Sequence, residues 1–270
     1  MKPRLAKKTP RILLFESLPH KSQMRSLIPE DESRHLISVL RLQDGDLIEG
    51  LDGKGNHALL KLQMEAKKAF AIWVENLPPA SNQTPQVFPV EIHLGIPKGE
   101  AMEWICEKAT ELGIRAIHPW VSSHCVVDAL AKGPEKFQQR WQTIADQAMK
   151  QCGRLERLTV HSPKRLSPST APQKKDGQIG FFLDEIETLA ESRDRDLLKL
   201  LTNSPLHAIN AGQPIQLWIG PEGGWSDEER GFLPRNLGVQ KASLGHLVLR
   251  SETAALVAMS LTTACLRNAR

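Results

Sequence analysis

Gln216-Leu217-Trp218-Ile219-Gly220-Pro221-Glu222-Gly223-Gly224-Trp225-Ser226-Asp227-Glu228-Glu229 runs from an apolar stretch into a glycine-rich loop and then into the start of a helix. Residues 215–220 read as a buried strand. Glycines placed directly after a parallel strand let main chain approach a ligand at the carboxyl edge of the sheet, where α/β sites lie. The same glycines also suit an ordinary tight turn. Further apolar runs at 90–94, 114–120, 157–161, 179–184 and 239–244 alternate mostly with helical patterns. Such alternation predicts an α/β fold with a parallel sheet covered on both faces.

The residues just after the glycines restrict the ligand. Ser226-Asp227-Glu228-Glu229 is a capping box, with Ser226 as N-cap and Glu229 at the third helical position. The box satisfies free amides internally, and three carboxylates in one turn repel a phosphate. Neither G-x-G-x-x-G nor G-x-x-x-x-G-K-[ST] occurs in the chain. The ligand is therefore expected to be neutral or cationic where it meets this loop. S-adenosylmethionine, with a positive sulfonium and no phosphate, meets that requirement; NAD and ATP do not.

Two more segments stand out. In Leu244-Gly245-His246-Leu247-Val248-Leu249-Arg250-Ser251-Glu252-Thr253, Ser251 and Glu252 suit the N-cap and N1 positions of a helix. Arg250, set between an apolar strand and an apolar helix, is expected to be paired or to face a ligand. Gln151-Cys152-Gly153-Arg154 reads as a helix C-cap, closing a helix over 134–151 that begins at Pro134. Another helix is predicted around 100–112, with Met102, Ile105, Ala109 and Leu112 on one face. Segment 161–178, with Pro163, Pro168 and Pro172, reads as an exposed loop. From Thr253 through Leu266 no residue is charged, so this last helix is expected to be buried on nearly all sides, inside the domain or against a second subunit.

The first 80 residues have shorter elements. Residues 31–41 predict a helix with Leu36, Val39 and Leu40 on one face. Strands are predicted at Leu47–Leu51, Ala58–Leu62 and Ala69–Val74, the first two joined by the turn Asp52-Gly53-Lys54-Gly55-Asn56. Leu77 to Pro85 holds three prolines and no charge, which is linker chemistry. The boundary placed there divides the chain into 1–80, a small β-rich domain, and 86–270, the α/β domain.

Composition sets the outer limits. With 270 residues, 40% hydrophobic and 24% charged, the chain suits roughly two globular domains and neither a disordered nor a fibrous protein. Lys+Arg 35 against Asp+Glu 31 gives +4, a mild hint of a polyanionic partner. Lys2, Arg4, Lys7, Lys8 and Arg11 form an acid-free start that suits either a solvated terminus or an RNA-touching arm. Ile12 to Phe15 is too short for a signal sequence, and no stretch has the roughly 18 apolar residues of a membrane span. The chain reads as cytoplasmic. Cys106, Cys125, Cys152 and Cys265 lack C-x-x-C spacing and no H-E-x-x-H is present, so reduced thiols and no metal are expected. Tyrosine is absent, which removes a phenol from the candidate proton-transfer groups.

Taken together these segments resemble the RsmE family of small-subunit (16S) ribosomal RNA uridine-N3 methyltransferases, within the SPOUT superfamily. His35-Leu36, Val39-Leu40-Arg41 and Gly45-Asp46 are similar to its N-terminal PUA-like signature. Lys98-Gly99-Glu100, Met102-Glu103-Trp104, Glu107 to Gly113 and Gln151 to Arg154 resemble successive catalytic-domain motifs, and Ile219 to Gly224 with Leu249-Arg250 and Glu252-Thr253 resemble the two cofactor motifs. The chain departs at Leu247, where a basic residue is usual, at Ser251, where Thr is usual, and at Ser122-Ser123-His124-Cys125, where an E-R-S/C run is usual. The departures imply either weaker RNA contacts or a shift of those contacts to His124 and His246.

The resemblance implies an α/β SPOUT domain with a C-terminal deep trefoil knot, a PUA-like RNA-binding domain over 1–80, and a homodimer acting on 16S ribosomal RNA or the small ribosomal subunit. It implies S-adenosylmethionine against Ile219, Gly220, Gly223, Gly224, Leu244, Gly245 and Leu249. For catalysis it points to Arg250 on an imide oxygen and to Glu222 or Glu252 orienting the base or accepting its proton. Arg34, Arg41 and Lys54 are the expected RNA contacts, with Lys98 and Arg154 as RNA or subunit contacts. Alternatives are a non-catalytic ribosome-assembly factor and a knotted methyltransferase acting elsewhere, such as on a ribose 2′-OH.

Overall fold

The structure, a computed structural model, describes residues 9–16, 18–21, 24–65, 68–78, 87–173, 177–185, 194–206 and 213–269. The chain divides into two compact units, Met1–Pro85 with Met149–Arg157, and Gln86–Ala148 with Leu158–Arg270. Lys2 to Lys8 and most of the expected linker lie outside the described residues.

In the first unit, strands β1 (Arg11–Leu13), β2 (Arg25–Leu27), β3 (Leu47–Leu51), β4 (His57–Glu65) and β5 (Lys68–Asn76) form a sheet in the order β1-β3-β4-β5-β2. Only the β1/β3 pair is parallel. The turn between β3 and β4 is organised by Asp52, whose carboxylate accepts from Lys54 N (2.7 Å), Asn56 N (3.0 Å) and Asn56 Nδ2 (2.7 Å). Arg11 is no part of a free arm: it sits in β1 and pairs with Glu49 at 3.0 Å.

Helix α1 (Glu30–Arg34) runs into a π-helical turn, His35–Val39, closed by Leu40 N donating to His35 O at 3.0 Å. The wider winding breaks the face expected from i, i+3 and i+4 spacing. Leu36 is buried, but Val39 is 65% exposed and Leu40 39%.

Segment 149–157 belongs to the first unit because its main chain pairs along the β3–β4 turn: Arg157 N donates to Gly53 O and Gly55 N to Leu155 O. Lys150 Nζ meets the buried Glu32 carboxylate at 2.6 Å. Gly153, at φ 82, ends the preceding helix, and the Arg11 guanidinium occupies the space a Cβ would need.

In the second unit, β6 (Phe88–Gly95), β7 (Ile114–Val121), β8 (Thr159–Val160), β10 (Gly180–Leu183), β11 (Ile215–Ile219) and β12 (Gln240–Ala242) form a parallel sheet in the order β12-β10-β11-β6-β7-β8, with β9 (Lys164–Arg165) also on β7. Segment 161–178 is thus not simply an exposed loop: it supplies β9 and buries Leu166 and Ala171. The helices are α2 (Ala101–Glu111), α3 (Pro134–Cys152), α4 (Leu197–Thr202), α5 (Asp227–Leu237) and α6 (Ser251–Asn268). Among the described residues no helix is long and apolar enough to cross a membrane.

Side chains alternate across the sheet, so each face has its own chemistry. Ile92, Leu94, Leu217 and Ile219 join Ile105 and Ala109 of α2, Trp141 of α3, and Ala255, Ala258 and Met259 of α6. On the other cluster Trp120, Phe182, Trp218 and Trp225 meet Leu233 and Leu237 of α5. Helix α6 buries one face, while Leu256, Val257 and Leu261 remain half-buried.

In-register pairing of Trp218 with His93 and of His93 with His118 stacks their rings across three strands, with centroids 4.1 and 4.5 Å apart, and His161 continues the stack at 4.1 Å. Trp120 Nε1 donates to His93 Nδ1 at 3.2 Å, so that nitrogen must be unprotonated. Burial, with His118 and His161 beside it, holds the His93 imidazole well below its ordinary 6.5.

This packing has two measurable consequences. An unfolded chain titrates His93 at its ordinary value and takes up the proton first, so the stability due to neutral His93 is complete above about pH 6.5 and is lost as pH falls toward the depressed folded value. Denaturation midpoints measured from pH 7.5 down to about 5.5 should decline, less steeply in His93→Phe; equal slopes in the two proteins contradict a neutral buried ring. At the end of β6, a Cβ on Gly95 would stand 2.5 Å from Pro221 Cδ and 2.7 Å from Pro221 N. Gly95→Ala should therefore cost about 1–3 kcal/mol in chemical denaturation, and an unchanged midpoint would show that the two loops are not in contact.

Candidate functional site

The carboxyl ends of β12, β10 and β11 lie side by side, and the loops leaving them enclose a cavity of about 180 Å³. Its walls are Leu183-Asp184-Glu185 after β10, Ile219 to Glu222 with Gly224 and Trp225 after β11, and Ser243 to Leu249 after β12, with Ser251 and Ala254 of α6 closing it. This is the edge at which parallel sheets bind ligands, because strand ends and main-chain amides converge there.

The glycine loop is tied to its surroundings at successive residues. Ser251 Oγ donates to Gly220 O at 2.9 Å, bringing together the two segments that the sequence singled out thirty residues apart. Glu222 Oε1 accepts from Lys98 N at 2.8 Å, and Gly223 O from His124 Nδ1 at 2.9 Å. The capping box forms as expected, with Ser226 N donating to Glu229 Oε2 (2.8 Å) and Glu229 N to Ser226 Oγ (3.3 Å). Glu229 has a second role that local sequence does not reveal: its buried Oε1 accepts from Ser123 N at 2.8 Å and from Ser123 Oγ at 3.2 Å.

Of the residues expected to hold a ligand, Ile219, Gly220, Gly224, Leu244, Gly245 and Leu249 line the cavity. Gly223 does not; it packs against His124 instead. Glu222 lines the cavity, whereas Glu252 is half-buried one residue inside α6 and lies outside the lining. Arg250 is exposed at the N-cap of α6, outside the lining, and makes no ion pair with a described residue. Of the two positions that its flanks suggested, paired or facing a ligand, the first finds no ion-pair partner among the described residues, and Arg250 rather than Ser251 takes the N-cap place. Lys98 is exposed beside Glu222.

The remaining RNA candidates lie in the first unit. Arg34 is exposed and pairs with Glu30 at 3.3 Å; Arg41 is exposed at φ 56; Lys54 is exposed in the β3–β4 turn. Arg154 is different. It is 0% exposed, its Nε donates to Glu156 O, and burial lowers its pKa to about 10. A guanidinium without exposed surface cannot reach a phosphate, so Arg154 is a structural group of segment 149–157 rather than an RNA contact.

The charge of the cavity is set by acids. Asp184, Glu185 and Glu222 line it, with His246. Asp184 is matched by Arg230 Nε and Lys241 Nζ, each at 3.0 Å, and the hydrogen bond to Asp184 raises the Arg230 pKa. The β10 end was missed as a wall; the predicted strand at 179–184 followed by two acids was the available signal. On β6 and β7, Glu91, His93 and His118 place potential ligand atoms within 4.8 Å of one another. That cluster is poorly suited to a cation: the Trp120 hydrogen bond leaves the His93 proton on Nε2, and the His93 and His118 rings lie 4° from parallel, so their lone pairs do not converge.

The chain matches the RNA methyltransferase domain over residues 83–263 and the RNA methyltransferase PUA domain over residues 28–72. It is 32% identical to the ribosomal RNA small subunit methyltransferase E of Synechocystis sp. over 237 residues, covering 87% of this chain and 71% of that one. The protein of the same name from Bacillus subtilis is 29% identical over 246 residues, 86% and 87% of the two chains. The crystal structure of the Neisseria gonorrhoeae ribosomal RNA small subunit methyltransferase E bound to S-adenosyl methionine superposes with a TM-score of 0.71 at 26% identity, covering 95% of this chain and 97% of that one. An α/β unit with a loop-built cavity at its sheet edge, joined to a PUA-like N-terminal domain, thus belongs to the RNA methyltransferase family that includes the proteins named ribosomal RNA small subunit methyltransferase E.

Proposed function

We propose that the protein transfers a methyl group from S-adenosylmethionine to N3 of a uridine in 16S ribosomal RNA, as a cytoplasmic enzyme. The observation that carries this reading is the cavity at the ends of β10, β11 and β12, because its chemistry fits that donor. Among the described residues its ionisable walls are acids and one histidine, which favours a cationic sulfonium and disfavours phosphate. Close main-chain packing suits a ligand whose polar edges are read by amides and carbonyls: a Cβ on Gly220 would already fall 3.3 Å from the Trp225 indole. Bound there, S-adenosylmethionine supplies an electrophilic methyl carbon on positive sulfur.

The chain's own groups do the rest. Main chain of 219–224 and 243–249 holds the donor, with Ile219, Gly220, Gly224, Leu244, Gly245 and Leu249 in its walls and Gly223 behind them. N3 of uracil lies on the pairing edge and carries a proton, so the base must be presented unpaired. Arg250, exposed at the start of α6, is assigned to an imide oxygen, where it offsets the charge that develops as the proton leaves. Glu222, fixed by Lys98 N, and Glu252 are assigned to orienting the base. Exposed Arg34, Arg41, Lys54 and Lys98 are assigned to RNA backbone.

The reading includes a homodimer and a deep trefoil knot in the C-terminal part of the α/β unit. Leu247 and Val248, in the cavity wall yet 70% and 75% exposed, and the half-buried flank of α6 support a second subunit in that region.

The test is incubation of purified protein with methyl-labelled donor and small-subunit RNA or particles. Label recovered as 3-methyluridine is expected; label on a ribose 2′-oxygen, or none together with no donor binding by calorimetry, rejects the assignment. Arg250→Ala should lower turnover by about 10²-fold or more with donor affinity largely kept, and near-normal turnover removes Arg250 from the chemistry.

A further inference from the structure

His124 is a side chain of the second unit to which holding the donor assigns no part. It lies just beyond the carboxyl end of β7, is exposed, and does not line the cavity. Its position is nonetheless closely set. A Cβ on Gly223 would fall 2.8 Å from His124 Cβ and 3.3 Å from His124 O. On one side of it, Ser123 is held by Glu229; on the other, Cys125 N donates to Ser122 O at 3.1 Å.

The 2.9 Å contact between His124 Nδ1 and Gly223 O also selects the tautomer. A carbonyl oxygen only accepts, so Nδ1 carries the hydrogen, and in the neutral ring Nε2 is left as an unprotonated acceptor. Gly223 stands between Glu222 and Gly224, both of which line the cavity. The result is an exposed imidazole on a pinned turn, beside the cavity loop, with its basic nitrogen not used by the contact that holds the ring. Glu222 is less suited to removing an imide proton. One of its oxygens already accepts from Lys98 N, and a carboxylate is a much weaker base than an imidazole toward so weak an acid.

We propose that His124 Nε2 accepts the N3 proton of the target uridine, an inference that rests on methyl transfer to uridine N3. The N3–H bond breaks with its proton passing to Nε2, and the electron pair left on N3 forms the bond to the methyl carbon of the donor. The carbon–sulfur bond breaks with its pair returning to sulfur, which departs as a neutral thioether. The imidazolium then gives its proton to water.

His124→Asn separates this role from a merely structural one, because the asparagine amide nitrogen can still donate to Gly223 O while nothing replaces Nε2. Turnover should fall by about 10²–10⁴-fold with KM for the donor and for RNA changed less than about twofold, and added imidazole should restore part of it. Ring ¹⁵N spectroscopy on the free protein should place the His124 proton on Nδ1. Undiminished turnover in His124→Asn, a loss that imidazole does not rescue, or a proton on Nε2 overturns the inference. If the wild-type protein yields no 3-methyluridine, the proposed function fails and this inference with it; normal 3-methyluridine with an active His124→Asn removes His124 alone.

Discussion

The loop from Gly220 to Gly224 depends on its neighbours for its shape, and the cavity depends on the loop. It contributes two main-chain carbonyls and one carboxylate to three separate partners: Ser251 at the start of α6, Lys98 after β6 and His124 after β7. Trp225, the next residue, donates its Nε1 to Leu183 O at the end of β10 at 3.0 Å. Each such bond contributes only about 1 kcal/mol net. Their value is directional, because elements far apart in sequence are referred to one turn. A cavity held this way takes its shape from the protein's own contacts, and such preorganisation lowers the cost of binding.

The same economy of position explains the two faces of the sheet. Along β6 and β11, aliphatic residues at 92, 94, 217 and 219 point one way and His93 and Trp218 the other. Parallel register then aligns the second set into a ring stack, and the only polar atom that this arrangement satisfies on His93 is Nδ1, through Trp120. A histidine buried on such a face is stable only when neutral, which is why its titration, unlike that of a surface histidine, bears on folding.

Most of the strands were legible because their apolar runs are continuous, as strands covered on both faces require. The capping box at Ser226 was legible for a different reason: both of its hydrogen bonds lie within four residues. What could not be read was set by contacts across the chain. Nothing local to His35–Val39 announces a π turn, so Val39 and Leu40 were placed on a face that the wider winding turns to solvent. Arg154 was read from its charge, but segment 149–157 pairs with a turn about one hundred residues earlier and buries it. Segment 161–178 was read from its prolines, yet β7 offers its outer edge to Lys164–Arg165. For Arg250 the apolar flanks left open a pair or a ligand-facing position; the helix begins so that the guanidinium stays outside.

Charge at the site shows how far a local reading can carry and where it stops. Three acids in the first turn of α5 argued against a phosphate at the glycine loop, but Glu229 turns inward to Ser226 and Ser123 and Asp227 pairs with Arg230 at 3.4 Å. None of the three, Glu228 included, lines the cavity. The acids that line it are Asp184, Glu185 and Glu222, two of them from the end of a different strand. Asp184 is balanced by Arg230 and Lys241, neither of which lines the cavity, so Glu185 and Glu222 are left to set the sign of the field inside. Parallel strand order brings the β10 and β11 ends together, and among the described residues no basic side chain from either reaches the cavity wall, which is the arrangement a cationic ligand requires.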